Sequence, residues 1–273
     1  MEQETDQIKV KIQQAENWFQ ANCTKVIVAF SGGVDSCLVA FFARKYLGKE
    51  NALAVIADSP SLKRKDLEIG KAFCEQLDIN LEMVKTHELE NPNYASNPIN
   101  RCYFCKFTLY DELKLIAVKY PGTDILNGQN FDDLGDYRPG IKAAKEFKVL
   151  KPLADCNFTK KDIREMALHF DLPTWNKPAS PCLSSRIPYG QEVTVGKLRQ
   201  IEEAENMLNA LGFEEVRVRH FGEVAKVEVP KDQLKALKIH EKSIRENLKE
   251  IGFESCELDD EGLVSGKLNR AIA

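Results

Sequence analysis

The 273-residue chain predicts an α/β fold, a parallel sheet with helices on both faces, followed by a small α+β domain. Three observations predict it. Short apolar runs alternate with helical stretches from residue 25 to residue 170, the pattern of a parallel sheet with helical crossovers. The first run, Lys25–Phe30, passes directly into a glycine-bearing turn and then a helix. Near residue 190 the texture changes to a charged helix and alternating strands. The expected division is a larger domain over 1–189 and a smaller one over 190–273.

Each element follows from local pattern. Ile8, Ile12, Ala15, Trp18 and Phe19 recur at helical spacing, which makes residues 4–21 an amphipathic N-terminal helix. Lys25–Phe30 is a strand, and Asp35–Leu47 is a helix stopped by Gly48. Leu53–Ala57 is a strand, Leu62–Leu77 a helix and Leu81–Thr86 a strand. Tyr103–Lys119 is a helix ended by Pro121-Gly122; a short strand opens at Ile125-Leu126, and Asp162–Phe170 is a helix. In the second domain, Val195–Leu211 is a helix ending at Gly212. Glu215–His220 and Val224–Val229 form a hairpin around Phe221-Gly222-Glu223. Lys231–Leu248 is a helix and Glu254–Leu258 a short strand. Ligands of such sheets sit at the carboxyl ends of the strands. The turns at Ser31, at Asp58-Ser59 and at Asn127-Gly128-Gln129-Asn130 all fall there.

Bulk composition narrows the function. The 38 basic and 42 acidic residues give a net charge of −4, without the footprint of strong nonspecific nucleic-acid binding. The acidic start, Met1–Asp6, has no signal-peptide core, and no apolar stretch approaches a membrane span, so a cytoplasmic protein with no membrane partner is expected. A reducing compartment disfavours disulfides among the eight cysteines. Cys37 and Cys74 read as small core residues, and Cys23, Cys156 and Cys256 as structural. Cys102, Cys105 and Cys182 stand apart.

Ser31-Gly32-Gly33-Val34-Asp35-Ser36 aims unpaired backbone N–H groups and a helix dipole at one point, a ready anion site. The glycines let a phosphate approach the backbone, and the serines add hydroxyl donors. The spacing and lysine of the Walker loop are missing. The motif resembles the PP-loop of the ATP pyrophosphatase superfamily, whose members cleave ATP to AMP and pyrophosphate. ATP with Mg²⁺ is therefore expected at Ala29, Ser31, Gly32, Gly33, Asp35, Ser36, Ala57, Asp58, Ser59, Gly128, Gln129 and Asp133. A carboxylate from Asp35 or from the Asp132-Asp133 pair suits Mg²⁺. The pair reads equally well as a helix N-cap.

Arg101-Cys102-Tyr103-Phe104-Cys105-Lys106 puts two thiols three residues apart at a helix start, where they share a face and the dipole lowers thiol pKa. Cys182 lies in the proline-stiffened Lys177–Arg186 segment. Three readings stay open on these residues: a redox pair, a zinc site short of its fourth ligand, and a [4Fe–4S] cluster on three cysteines with one iron open. Three unrelated thiols are the plain alternative.

Taken together, the Ser31–Ser36 loop, Arg101–Lys106, Asn127–Asp133 continuing to Tyr137-Arg138-Pro139-Gly140, Lys177–Arg186 and Glu215–His220 resemble the LarE family along essentially the whole chain. That family comprises ATP-dependent sulfur transferases. They convert carboxylates of a nicotinic-acid-derived pyridinium mononucleotide into thiocarboxylates for the nickel-pincer nucleotide. In one branch a single cysteine gives up its own sulfur. In the other, three cysteines hold a [4Fe–4S] cluster carrying an extra sulfide. The resemblance places this chain in the second branch, with Cys102, Cys105 and Cys182 as ligands and with Cys182 and Asp35 as catalytic residues. It implies a small nucleotide-like carboxylate substrate held by Lys106, Arg138, Arg186, Arg217 and Arg219, a homohexamer, and a second divalent-cation site at Glu205 and Glu228. The sulfide donor is left unassigned. Without the resemblance, Arg217 and Arg219 read as a solvated strand face.

Three other functions compete. An iron–sulfur tRNA thiolase needs a phosphate-binding surface that the negative net charge does not favour. An amidating PP-loop synthetase has no use for the cysteine trio and turns ATP over with ammonia. A non-catalytic nucleotide-binding module releases no pyrophosphate.

Overall fold

The computed structural model describes residues 2–135, 139–264, 266–267 and 270. The chain divides into two compact units, one of residues 1–88 with 102–180 and one of residues 89–101 with 181–273. The first contains α1 (Glu2–Asn22), β1 (Lys25–Phe30), α2 (Val34–Leu47), β2 (Ala52–Asp58), α3 (Arg64–Gln76) and β3 (Asn80–Lys85). The short α4 (Pro92–Ala95) belongs to the second unit, and the chain then returns through α5 (Arg101–Lys119). The first unit is completed by β4 (Thr123–Leu126), α6 (Gly140–Glu146), α7 (Pro152–Asp155) and α8 (Lys160–His169).

Its four strands are all parallel, in the order β3-β2-β1-β4. β1 is buried at every position after Lys25, as a central parallel strand covered on both faces must be. One face packs into a core with α1 and α2 through Phe19, Val28, Phe42 and Phe158; the other packs into a second core through Ile27, Val55, Tyr110 and Leu113. Ile8, Ile12, Ala15, Trp18 and Phe19 of α1 all join the first core, as their spacing predicts. The strand order reverses between β1 and β4, which places a ligand crevice at their carboxyl ends. Both loops predicted to carry the site, Ser31–Gly33 and Asn127–Asn130, leave from those ends.

The second unit contains α9 (Val195–Ala210), β5 (Arg217–Phe221), β6 (Val224–Glu228), α10 (Leu234–Ile239), α11 (Glu241–Glu250) and β7 (Ser255–Leu258). β5 and β6 form the expected antiparallel hairpin, and β7 adds in parallel to β6. The single helix expected over Lys231–Leu248 is instead a 3-10 turn, α10 and α11, broken at His240. The break turns Leu237, Ile244 and Leu248 all into one core, and His240 sets its ring edge-on against Phe213. Among the described residues, no helix is long and apolar enough to cross a membrane.

Candidate functional site

The turn after β1 is built around Gly32, whose φ of +68° and close approach to the Asp66 carbonyl exclude a side chain; a Cβ there would lie 3.0 Å from that oxygen. The Ser31 amide donates to Ser36 Oγ at 3.1 Å, the two hydroxyl oxygens lie 3.1 Å apart, and Ser36 Oγ donates to the Gly33 carbonyl at 3.0 Å. Gly33 begins α2 with no side-chain cap, so the first amides of the helix are left for a ligand. The loop after β4 presses onto this start: a Cβ on Gly128 would lie 2.8 Å from the Ser36 amide nitrogen.

Asp35 and Asp133 are joined through Asn130. Asn130 Nδ2 donates to Asp35 Oδ1 at 3.0 Å, its Oδ1 accepts from the Asp133 amide at 3.1 Å, and its own amide donates to Asp133 Oδ2 at 3.2 Å. Lys160, at the start of α8, pairs with the other oxygen of Asp35. Asp132 accepts from the Lys160 amide at 2.7 Å, so of the Asp132-Asp133 pair it is Asp132 that serves a helix start. A loop with two carboxylates suits Mg²⁺, which takes one or two protein oxygens and completes its shell with phosphate and water.

The turn after β2 has its own bonds. Asp58 pairs with Arg64, and Ser59 donates to the buried Glu88, as does Ser61 at 3.0 Å. Ala29 and Ala57 lie in the sheet, opposite Val55 and Val84. The side-chain amide nitrogen of Gln129 is buried with no partner among the described residues.

Sequence reasoning missed two lysines. Besides Lys160, Lys177 places Nζ 2.9 Å from the Gly32 carbonyl and 2.8 Å from Asp66 Oδ1. Ser180 donates to the other oxygen of Asp66 at 2.6 Å. Lys177 belongs to the segment noted for Cys182, but nothing local in the sequence links it to a loop 145 positions earlier.

The cysteines fall into two classes. Cys23, Cys37 and Cys74 are buried, and burial pushes each thiol up to about 12. Cys156 and Cys256 are likewise buried and pushed up to about 11. Cys102 is exposed, and Cys105 and Cys182 are partly exposed. Cys102 and Cys105 lie on the first turn and a half of α5 in the first unit; Cys182 lies in the second. Among the described residues, no group of three or more His, Cys, Asp or Glu side chains gathers to hold a metal ion.

Three arginines hold the Cys182 loop from within the second unit. Arg186 forms a bidentate pair with Glu205 at 2.8 and 3.2 Å and donates to the Pro181 carbonyl at 2.9 Å. Arg219 pairs with Glu228 at 2.9 and 3.0 Å and donates to the Ser185 carbonyl at 2.8 Å. Arg101 donates to the Ser184 carbonyl at 2.9 Å. The guanidinium groups expected to hold substrate at 186 and 219 are thus engaged with the two glutamates expected to hold a cation. That pairing corrects the metal-site expectation, because each carboxylate already has a full cationic partner. Arg217 differs. Among the described residues it has no hydrogen-bonding or ion-pairing partner; burial, then the charges of Arg186 and Arg219, hold its guanidinium below its ordinary value. Lys106 lies over the Tyr110 ring at 5.8 Å, with its stem under Gly140. Arg138 falls outside the described residues.

Comparison with known proteins decides the family. The NAD synthase family model matches residues 3–96, the part that carries the Gly32 loop. An uncharacterized Synechocystis protein is 44% identical over 257 residues, covering 93% of this chain and 95% of that protein. The pyridinium-3,5-bisthiocarboxylic acid mononucleotide synthase of Lactiplantibacillus plantarum is 34% identical over 248 residues, 91% of this chain and 90% of that enzyme. The chain belongs to this family, LarE. An NH3-dependent NAD+ synthetase of Fusobacterium nucleatum is 36% identical, but over 74 residues, 27% of this chain. The likeness to amidating enzymes therefore stops short of Cys102, whereas the LarE likeness spans both units. The Gly32 loop is a PP-loop, and its family implies ATP and Mg²⁺.

Proposed function

We propose that this LarE-family chain is an ATP-dependent sulfur transferase that converts a carboxylate of a pyridinium mononucleotide into a thiocarboxylate. The observation that carries this reading is the tether of the Cys182 segment to the PP-loop. Lys177 on Gly32 and Ser180 on Asp66 pin the chain two residues ahead of Cys182 to the phosphate site. A nucleotide-only module has no need of that link.

A substrate carboxylate oxygen attacks the α-phosphorus of ATP, and the α–β bridging bond breaks to release pyrophosphate. The PP-loop amides and the α2 dipole take up the developing charge. Asp35 and Asp133 would hold Mg²⁺, which neutralises the phosphates. In the resulting acyl-adenylate, sulfide replaces AMP at the carbonyl carbon; water there would only restore the carboxylate. Arg217 supplies a cation without a protein partner for the substrate phosphate.

The donor chemistry supports the three-cysteine branch, since Cys102, Cys105 and Cys182 are the accessible thiols and the other five are buried. Arg101, one peptide bond before Cys102, grips Ser184, two residues after Cys182. A [4Fe–4S] cluster on these thiols would supply labile inorganic sulfide. The hexamer that the family implies has apolar surface to draw on, with Leu115 60% and Val118 77% exposed on α5.

The test is an anaerobic incubation with the dicarboxylated pyridinium mononucleotide, ATP, Mg²⁺ and sulfide. Pyrophosphate release with a product heavier by the oxygen-to-sulfur exchange is expected. Ammonia-dependent amide formation, or thiolation of added tRNA in place of the mononucleotide, overturns the reading.

A further inference from the structure

The Gly32–Gly33 peptide is flanked by two glycines, so steric restriction alone does not select which way its plane faces. In a planar trans unit the carbonyl and the N–H point to opposite edges. Whatever holds the Gly32 oxygen therefore aims the Gly33 amide. That holder is Lys177, with Nζ at 2.9 Å.

Lys177 is itself held. Its second contact is Asp66 Oδ1 at 2.8 Å, and the pair is largely buried, with side chains 12% and 10% exposed. Asp66 opens α3, and its backbone carbonyl is the atom that a Cβ on Gly32 would meet at 3.0 Å. Ser180 donates to its remaining carboxylate oxygen. One residue thus packs on the PP-loop, clamps the lysine and anchors the segment leading to Cys182.

We propose that Lys177 and Asp66 are positioning residues that lock the Gly32–Gly33 peptide with its amide facing the β,γ-phosphates of ATP. This rests on the reading that the loop takes ATP. The lysine cation works from the carbonyl edge, and withdrawing electrons there makes the opposite N–H a stronger donor. Asp66 fixes the lysine on that edge and keeps it from reaching the phosphates itself.

Equilibrium binding of AMP and of the non-hydrolysable α,β-methylene analogue of ATP, with Mg²⁺, separates the possibilities. The ratio of the two affinities reads the phosphate loop apart from overall folding. Lys177→Met and Asp66→Asn should each weaken the ATP analogue about tenfold or more relative to AMP, the scale of one charge-assisted hydrogen bond. Since either single change strands a charge, the double variant Lys177→Met/Asp66→Asn is included and should keep the defect. If Asp66→Asn instead tightens the ATP analogue while Lys177→Met weakens it, the lysine contacts phosphate directly and the proposal is overturned. An unchanged ratio, or full recovery in the double variant, also overturns it. A wild-type chain that binds neither nucleotide sinks the ATP reading itself.

Discussion

Asn130 donates to Asp35 at 3.0 Å, and this one bond ties the loop after β4 to the start of α2 across the crevice where the sheet order reverses. Asn130 also exchanges two hydrogen bonds with Asp133, so both candidate Mg²⁺ carboxylates hang on one side chain.

Replacing Asn130 with Ala should therefore lower pyrophosphate release about tenfold and raise the Mg²⁺ concentration needed for half-maximal rate. Stability should fall by about 1–3 kcal/mol, because the buried Asp133 amide loses its acceptor. Steady-state kinetics over a Mg²⁺ series and urea unfolding measure the two effects. An unchanged Mg²⁺ requirement contradicts the assignment.

Arg186 and Glu205 are 1% and 3% exposed, which makes theirs a buried ion pair. Arg186→Met leaves the carboxylate unpaired and should destabilise the protein by about 3–5 kcal/mol, whereas Arg186→Met/Glu205→Leu should recover most of that loss. In the double variant the Cys182 loop still lacks its grip on Pro181, so sulfur transfer should drop while pyrophosphate release persists. Equal loss of both activities would argue against a loop-holding role.

Arg217→Gln removes a half-buried cation that has no protein partner among the described residues. Stability should hold or rise, and KM for the mononucleotide should rise by about tenfold or more with kcat little changed. Comparing the mononucleotide with its phosphate-free nucleoside checks the cause, since the nucleoside should show no such change.

Cys23, Cys37 and Cys74 carry the alkaline pH dependence. Their thiols ionise near 9.0 when unfolded and are pushed up by burial to about 12 in the fold. A raised thiol pKa means the native state holds its proton more tightly. The stabilisation is full below pH 9 and is lost as pH rises toward 12. The urea midpoint should fall over that window, less steeply in Cys37→Ala. Below it, iodoacetamide should label Cys102, Cys105 and Cys182 well before the other five.

Much of this was legible in the sequence because it is local. β1 runs over Lys25–Phe30 as its apolar run predicts, and Gly32 has the positive φ a phosphate loop needs. α6 and α7 were missed because each is too short to show a helical period. The pairing of Arg186 with Glu205 and of Arg219 with Glu228 was invisible because it joins α9 and β5 side chains to partners set by tertiary packing. For the same reason Lys177 gave no sign that it reaches Gly32, whereas the accessible trio of cysteines could be separated from the buried five by context alone.

The account turns on three thiols serving one iron–sulfur cluster beside the ATP loop. Anaerobic reconstitution followed by iron and sulfide analysis tests it most directly. The wild-type chain should take up about four iron atoms, and Cys102→Ala, Cys105→Ala and Cys182→Ala should each lose the cluster while still binding ATP. Iron content unchanged in all three variants would contradict it.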